Sequence, residues 1–217
     1  MVVKENNSMD KQILKERFVR DVGCTATHYR LDEIWDTVWD SYREPQRHYH
    51  NMQHIVECLD LLDKHFGNYP RVRCALWFHD VVYQCPSGAI SNEDLSAVWA
   101  ANALRTVDGL SAVYKIAELI RSTTYKQPPV GEDERVFHDI DFAILGAEQK
   151  RFSAYCAGIN YEYNWVHPEV FVKNREAFLR ALLDREHIYY TDTIRALCEK
   201  QARENITREL EDPSWAA

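Results

Sequence analysis

Three short stretches of the chain hold residues that could share one chemistry. In "RHYHNMQHI", His48, His50 and His54 stand together, and His50 and His54 are four apart. On a helix that spacing puts two imidazoles on one face, with Cβ atoms roughly 6 Å apart. Imidazole is the commonest metal-ligating side chain, and such a pair can aim two rings at one point. In "ALWFHDVVY", Ala75 to Tyr83, His79 and Asp80 interrupt an apolar run. A carboxylate in that setting is costly to bury unless it is neutralised, paired or bound to a cation. In "VFHDIDFAILG", Asp141 stands among Ile140, Phe142, Ile144 and Leu145 and raises the same question, with Asp139 two residues earlier.

Each stretch also has an ordinary structural reading. A His-rich helix start can be a hydrogen-bonded surface feature. His79–Asp80 can be the polar edge of a helix, and Asp139 or Asp141 can be a helix N-cap. The second His-Asp pair, His138–Asp139, follows the polar "GEDER" segment and reads as a decoy. His28, His65, His167 and His187 lie beside polar residues near predicted helix ends and are expected at the surface.

The elements that must position these groups read as helices. "LDEIWDTVWDSY" sets Leu31, Ile34, Trp35, Val38, Trp39 and Tyr42 on one apolar stripe. "HIVECLDLLDKHF" does the same with Ile55, Cys58, Leu59, Leu62 and Phe66, and Gly67 ends it. Further amphipathic runs lie near 92–105, 111–124, 147–164, 169–183 and 190–211, with Ser91 or Asn92 as the N-cap of the first. "QCPSGAIS" and "YKQPPVGEDE" have the composition of loops. No alternating strand pattern, internal repeat or linker is visible. The expectation is one all-α domain over residues 1–217, a bundle of eight to ten helices, with residues 1–8 as a flexible tail.

The composition agrees. Seven Gly and seven Pro in 217 residues argue against a turn-rich β fold, and 46% hydrophobic content supplies a core. A net charge of -8 with no basic tract weighs against broad nucleic-acid binding, while leaving room for a local basic pocket that meets a phosphate. No apolar window reaches about 18 residues and no leader pattern opens the chain, so a cytoplasmic protein without a membrane span is expected. The six cysteines, Cys24, Cys58, Cys74, Cys85, Cys156 and Cys198, form no C-x-x-C pair and are expected as buried thiols in a reducing compartment.

Taken together, His on one helix, His-Asp on the next and Asp much later resemble the ordered pattern of the HD-domain phosphohydrolase superfamily. "YHNMQH" at Tyr49–His54 is similar to the helix-start signature of cyclic-nucleotide phosphodiesterases. The combination of "YREPQRHYHN", "ALWFHDVVY", "NEDLSA", "DIDFAILG", Tyr161-Glu162-Tyr163 and "ARENITREL" resembles a family of small bacterial-type, predicted metal-dependent HD-superfamily phosphohydrolases. The likeness runs from about residue 28 to 211 and does not specify a substrate.

The resemblance implies an HD-type helical domain in which His54, His79, Asp80 and Asp141 hold one divalent transition metal ion (Mn, Fe, Co, Ni or Zn, with Mg admissible), and Asp139 is the fallback for the last ligand. It implies His50 as proton donor to the leaving oxygen and Asp80 as both ligand and orienter of the attacking water. Glu93 has no secure counterpart. Such an ion activates water at neutral pH and neutralises phosphoryl charge, and an imidazole can protonate the leaving group. The implied substrate is a nucleotide or another small phosphate ester. Arg43, Arg47, Arg121 and Lys126 are near enough in sequence to meet phosphate, though ordinary solvated cations have the same look. Dinuclear relatives carry a further His near "LIRSTTYKQ". Here Thr123, Thr124, Tyr125 and Lys126 stand instead, which argues for one ion. An iron oxygenase or lyase of the same fold, or a non-catalytic module that binds metal or nucleotide, are the competing expectations.

Overall fold

The computed structural model describes residues 10–23, 28–84, 86, 88–105 and 110–213. The expected tail at 1–8 and the thiols of Cys24 and Cys85 lie outside the described residues, as does the side chain of His28. The described chain is all-helical, with ten α-helices and no strand among the described residues. By its backbone contacts it divides into two compact units, Met1–Pro128 and Pro129–Ala217.

The first unit contains α1 (Lys11–Val22), α2 (His28–Ser41), α3 (Met52–His65), α4 (Pro70–Phe78), α5 (Asn92–Leu104) and α6 (Leu110–Ser122). Local signals set the helix ends. The Asp10 carboxylate accepts from the N–H groups of Gln12 and Ile13 and starts α1. Ser91 Oγ accepts from Asp94 N and starts α5, with Glu93 and Asp94 in the positive first turn. Pro70 opens α4, where its missing N–H costs nothing. After α3, Gly67 takes a φ of 71° and donates to Leu62 O, a left-handed exit that a side chain resists.

The apolar stripes meet in an aromatic core. Phe18 of α1 lies 5.4 Å from the rings of both Trp35 of α2 and Trp77 of α4, and all three are fully buried. This core fastens α4 and therefore the segment that follows it. The Trp77 indole N–H donates to Asp21 Oδ2 across to α1.

The second unit contains α7 (Glu132–Phe142), a 3₁₀ turn (Ala143–Gly146), α8 (Gln149–Glu162), α9 (Pro168–Leu183) and α10 (Asp192–Glu211). "GEDER" is the N-cap and first turn of α7 rather than part of a loop, because Gly131 adopts φ 91° and three acids follow at the positive helix end. Gly146 is required by a close approach: a Cβ there would sit 2.5–2.9 Å from the Cβ, oxygen and Cα of Cys198 in α10. The buried Asn205 side chain donates to the carbonyls of Leu145 and Ala147, so "ILG" and "ARENITREL" are two halves of one contact.

Cys58, Cys74 and Cys156 are buried, Cys198 is half-buried, and none of these four is in a disulfide. His167 and His187 are exposed as expected, whereas His65 is half-buried. No helix among the described residues is long and apolar enough to cross a membrane.

Candidate metal centre

His54 lies in the first turns of α3 and His79 follows the last residue of α4, and both are buried. Helix α4 ends at Phe78, so His79 and Asp80 occupy the turn beyond it rather than a helix face. The helix end explains why. The last carbonyls of a helix lack intrahelical donors, and here residues of the site supply them. His79 Nδ1 lies 3.0 Å from Leu76 O, the Tyr42 hydroxyl donates to Trp77 O at 3.1 Å, and Val81 N donates to Phe78 O at 3.2 Å. A carbonyl can only accept, so Nδ1 of His79 carries the proton and a neutral His79 presents its Nε2 lone pair. Metal-bound histidines are commonly oriented in this way, with the second ring nitrogen donating to a carbonyl.

That lone pair faces two others. His79 Nε2 is 3.1 Å from His54 Nε2 and 3.0 Å from Asp80 Oδ2, and His54 Nε2 is 3.7 Å from the same oxygen. A cation bound at about 2.1 Å from each donor separates neighbouring ligands by roughly 3.0–3.4 Å. Two of the three edges fall in that range and the third is a little wider, and two nitrogens with one carboxylate oxygen are a ligand type that suits a divalent transition metal. Asp80 is mostly buried, its side chain 15% exposed. Burial alone would raise its carboxyl; when His79 carries a proton on Nε2 as well, its charge and hydrogen bond, with the charges of His50 and His54, outweigh that and hold Asp80 well below the usual carboxylate range. The Cys58 thiol lies 3.6 Å from His54 Nδ1 and packs beside the ring from one turn further along α3.

His50 is not on the helix face that the four-residue spacing suggests. Asn51 caps α3 through Gln53 N at 2.9 Å, so the helix starts at Met52 and His50 stands in the turn before it. The ring is nevertheless close, 6.1 Å between centroids from His54. Its orientation comes from stacking on Tyr83 at 4.4 Å and from the edge of Tyr49 at 4.9 Å. His50 is half-buried.

The cations of the neighbourhood have separate tasks. Arg121 pairs with Asp94 at 3.2 Å, Arg43 covers the Trp39 ring at 5.0 Å, and Lys126 is exposed. Arg47 is buried, and its fork is occupied by Glu44 and by the main-chain carbonyls of His50, Asp80 and Val81. This guanidinium is committed mainly to holding backbone, so Arg47 is not the ordinary solvated cation that its sequence position suggests. Glu93 is a half-buried acid in the first turn of α5. In the turn after α6, the buried Thr123 hydroxyl donates to Ile120 O.

In the second unit, Asp139 and Asp141 are both in α7 and neither is an N-cap. The two differ in what they touch. Asp139 is buried and accepts from Tyr190 N at 2.8 Å on one oxygen, and from Thr191 N and Thr191 Oγ1, both at 2.6 Å, on the other. It anchors the start of α10, whose N-cap is Thr191. Burial raises its carboxyl and these hydrogen bonds only partly offset that. With both oxygens engaged, Asp139 is a structural group. Asp141 is half-buried, two residues further along the helix. His138 is buried near Tyr190, with 6.3 Å between ring centroids.

No family model, curated protein or solved structure matches the chain.

Proposed function

We propose that this chain is a metal-dependent phosphohydrolase that acts on a nucleotide or another small phosphate ester. The observation that carries the reading is the triangle of His54 Nε2, His79 Nε2 and Asp80 Oδ2, with edges of 3.0–3.7 Å, beside a half-buried imidazole that is not part of it. The fourth ligand of this reading is Asp141, supplied by the resemblance of "DIDFAILG" to the superfamily pattern and favoured by the full engagement of Asp139.

When bound, the cation supplies Lewis acidity toward a phosphoryl oxygen and a water nucleophile at neutral pH. The chain's own groups do the rest. His79, locked by Leu76 O, keeps a fixed lone pair toward the site. Asp80 remains ionised and can orient a water through its second oxygen. His50, held edge and face by Tyr49 and Tyr83, is placed to give a proton to a leaving oxygen without joining the ligand set. Tyr83 and Tyr49 exclude water from two sides of that ring.

A second reading has one observation in its favour. Two imidazoles and one carboxylate are also the ligand set of non-haem iron oxygenases. The two are separated by loading the metal-free protein anaerobically with iron and measuring oxygen consumption, beside a phosphatase screen across divalent metals with nucleotides and sugar phosphates. Phosphate release with Mn, Co or Zn supports hydrolysis. Oxygen uptake with iron, and no phosphate release with any metal, overturns it. Metal or nucleotide binding with neither activity leaves a binding module.

A further inference from the structure

We propose that Arg47, together with the Tyr42 hydroxyl, is the positioning group that builds the ligand triangle before any cation arrives. The inference rests on the reading of His54, His79 and Asp80 as a metal site and adds a residue to it.

Asp80 sits in a turn, outside any helix, where its backbone has no regular ladder to define it. Both of its peptide groups are nonetheless held. Its N–H donates to the Tyr42 hydroxyl at 3.3 Å, and its carbonyl accepts from Arg47 Nη1. The same Nη1 donates to His50 O at 3.2 Å, Nη2 donates to Val81 O at 3.0 Å, and Nε donates to Glu44 Oε2 at 2.9 Å. Four of the five guanidinium N–H groups therefore reach an acceptor. One planar group thereby sets the distance between the backbone that carries His50 and the backbone that carries Asp80.

The rest of the environment makes that fork rigid. The Arg47 side chain is 1% exposed and its guanidinium lies between the rings of Tyr42 at 5.2 Å and Tyr83 at 5.5 Å. Tyr83 is the ring on which His50 stacks, and Tyr42 also accepts and donates at the end of α4 beside His79. A buried guanidinium whose main partners are carbonyls is a costly way to fill a core. Its arrangement makes sense if the geometry it imposes is used. Lysine keeps the charge but has neither the plane nor the reach to bond three carbonyls at once, so the conservative replacement is informative.

The test uses cobalt binding by the full chain, at a temperature where each variant is folded by circular dichroism. The variants are Arg47→Lys and Tyr42→Phe. The readouts are the dissociation constant for Co²⁺ by chelator competition, the Co²⁺ d–d absorption bands, and the thermal midpoint of the metal-free protein. We expect Co²⁺ affinity about 10–100-fold weaker in both variants, the size seen when groups that orient ligands are removed, with shifted d–d bands. A purely structural role lowers the thermal midpoint but leaves affinity and bands of the folded protein as in wild type, and that result overturns the proposal. Should Arg47→Lys not fold, Tyr42→Phe, which keeps the ring against Arg47 and removes only the hydroxyl, decides the matter by the same two readouts. A wild-type chain that binds no Co²⁺ overturns the site reading and this inference together, whereas wild-type binding with unchanged variants overturns the inference alone.

Discussion

The Nε2 atoms of His54 and His79 lie 3.1 Å apart, on residues 25 positions distant in sequence. Because the His79 Nδ1 proton is committed to Leu76 O, a neutral His79 offers only a lone pair across that gap. The pair is satisfied either by a proton from His54 or by a cation that both rings ligate. With Asp80 Oδ2 at 3.0 Å from one and 3.7 Å from the other, the three atoms could share one cation. Alanine at His54, His79 or Asp80 is expected to lower bound metal after dialysis, measured by elemental analysis. Metal at 100 times its dissociation constant should stabilise the wild type by about 2.7 kcal/mol and the variants by much less. Full metal content in all three variants would remove the site.

Asp139 and Asp141 should behave oppositely. Asp139→Ala leaves the N–H groups of Tyr190 and Thr191 without the acceptor they now use. An unsatisfied buried group costs about 1–3 kcal/mol, so chemical denaturation should show a clear loss of stability with metal content retained. Asp141→Ala should lose metal with little loss of stability. Metal kept in Asp141→Ala and lost in Asp139→Ala would reverse the assignment.

His50→Ala is expected to keep metal content and thermal midpoint while kcat falls by about 10²–10⁴, the usual contribution of a general acid. The motive is its place outside the triangle, stacked on Tyr83 with 4.4 Å between centroids. The comparison requires the substrate found in the metal screen. If the substitution removes the metal, His50 is a ligand instead.

One ion per chain is expected after extensive dialysis. The segment Thr123–Lys126 offers hydroxyls and an amine where a second ion would need imidazole, and the buried Thr123 hydroxyl is already bonded to Ile120 O. A second ion bound mainly through water and substrate phosphate would be lost on dialysis. A stable ratio of two per chain would sink the mononuclear reading.

Asp63 gives a pH dependence that is independent of the metal. Burial raises its carboxyl, but the hydrogen bond and charge of Arg73, with those of Arg17, prevail and lower it. A carboxyl with a depressed folded-state pKa contributes stability that is present above its unfolded value, near 3.9, and lost as pH falls through the lower folded value. The group is partly exposed, so the contribution is about 1 kcal/mol at most. Asp63→Asn should be less stable than wild type at pH 7 in urea unfolding, and the difference should close below about pH 4. A difference that is unchanged at acid pH would rule out the ion pairs as its source.

Much of the helical architecture is legible in the residues. Of the stripe Leu31, Ile34, Trp35, Val38, Trp39 and Tyr42, all but the half-buried Ile34 are buried, Ser91 caps α5, and Gly67 leaves α3 in a left-handed turn. Burial of a stripe depends on side-chain type and period, which are local properties. Ends of elements were less legible. Asn51 and the C-terminus of α4 put His50, His79 and Asp80 in turns, since a cap or an exhausted carbonyl depends on which partner arrives from elsewhere in the chain.

By itself, the amino-acid sequence determined that the chain is helical, which residues could ligate a cation, and that His79–Asp80 interrupts an apolar run. Tertiary structure decided what each of these groups touches. Asp139 and Asp141 are indistinguishable by composition, yet only the folded chain brings Tyr190 and Thr191 onto both oxygens of Asp139. Arg47 reads as one more surface cation until the fold closes Asp80 and Val81 around it. Gly146 and Cys198 are 52 positions apart and meet only where the 3₁₀ turn packs on α10. The physical reason is common to all three. Hydrogen bonding and close packing are satisfied by partners distant along the chain, and no local pattern of residue types encodes which partner that will be.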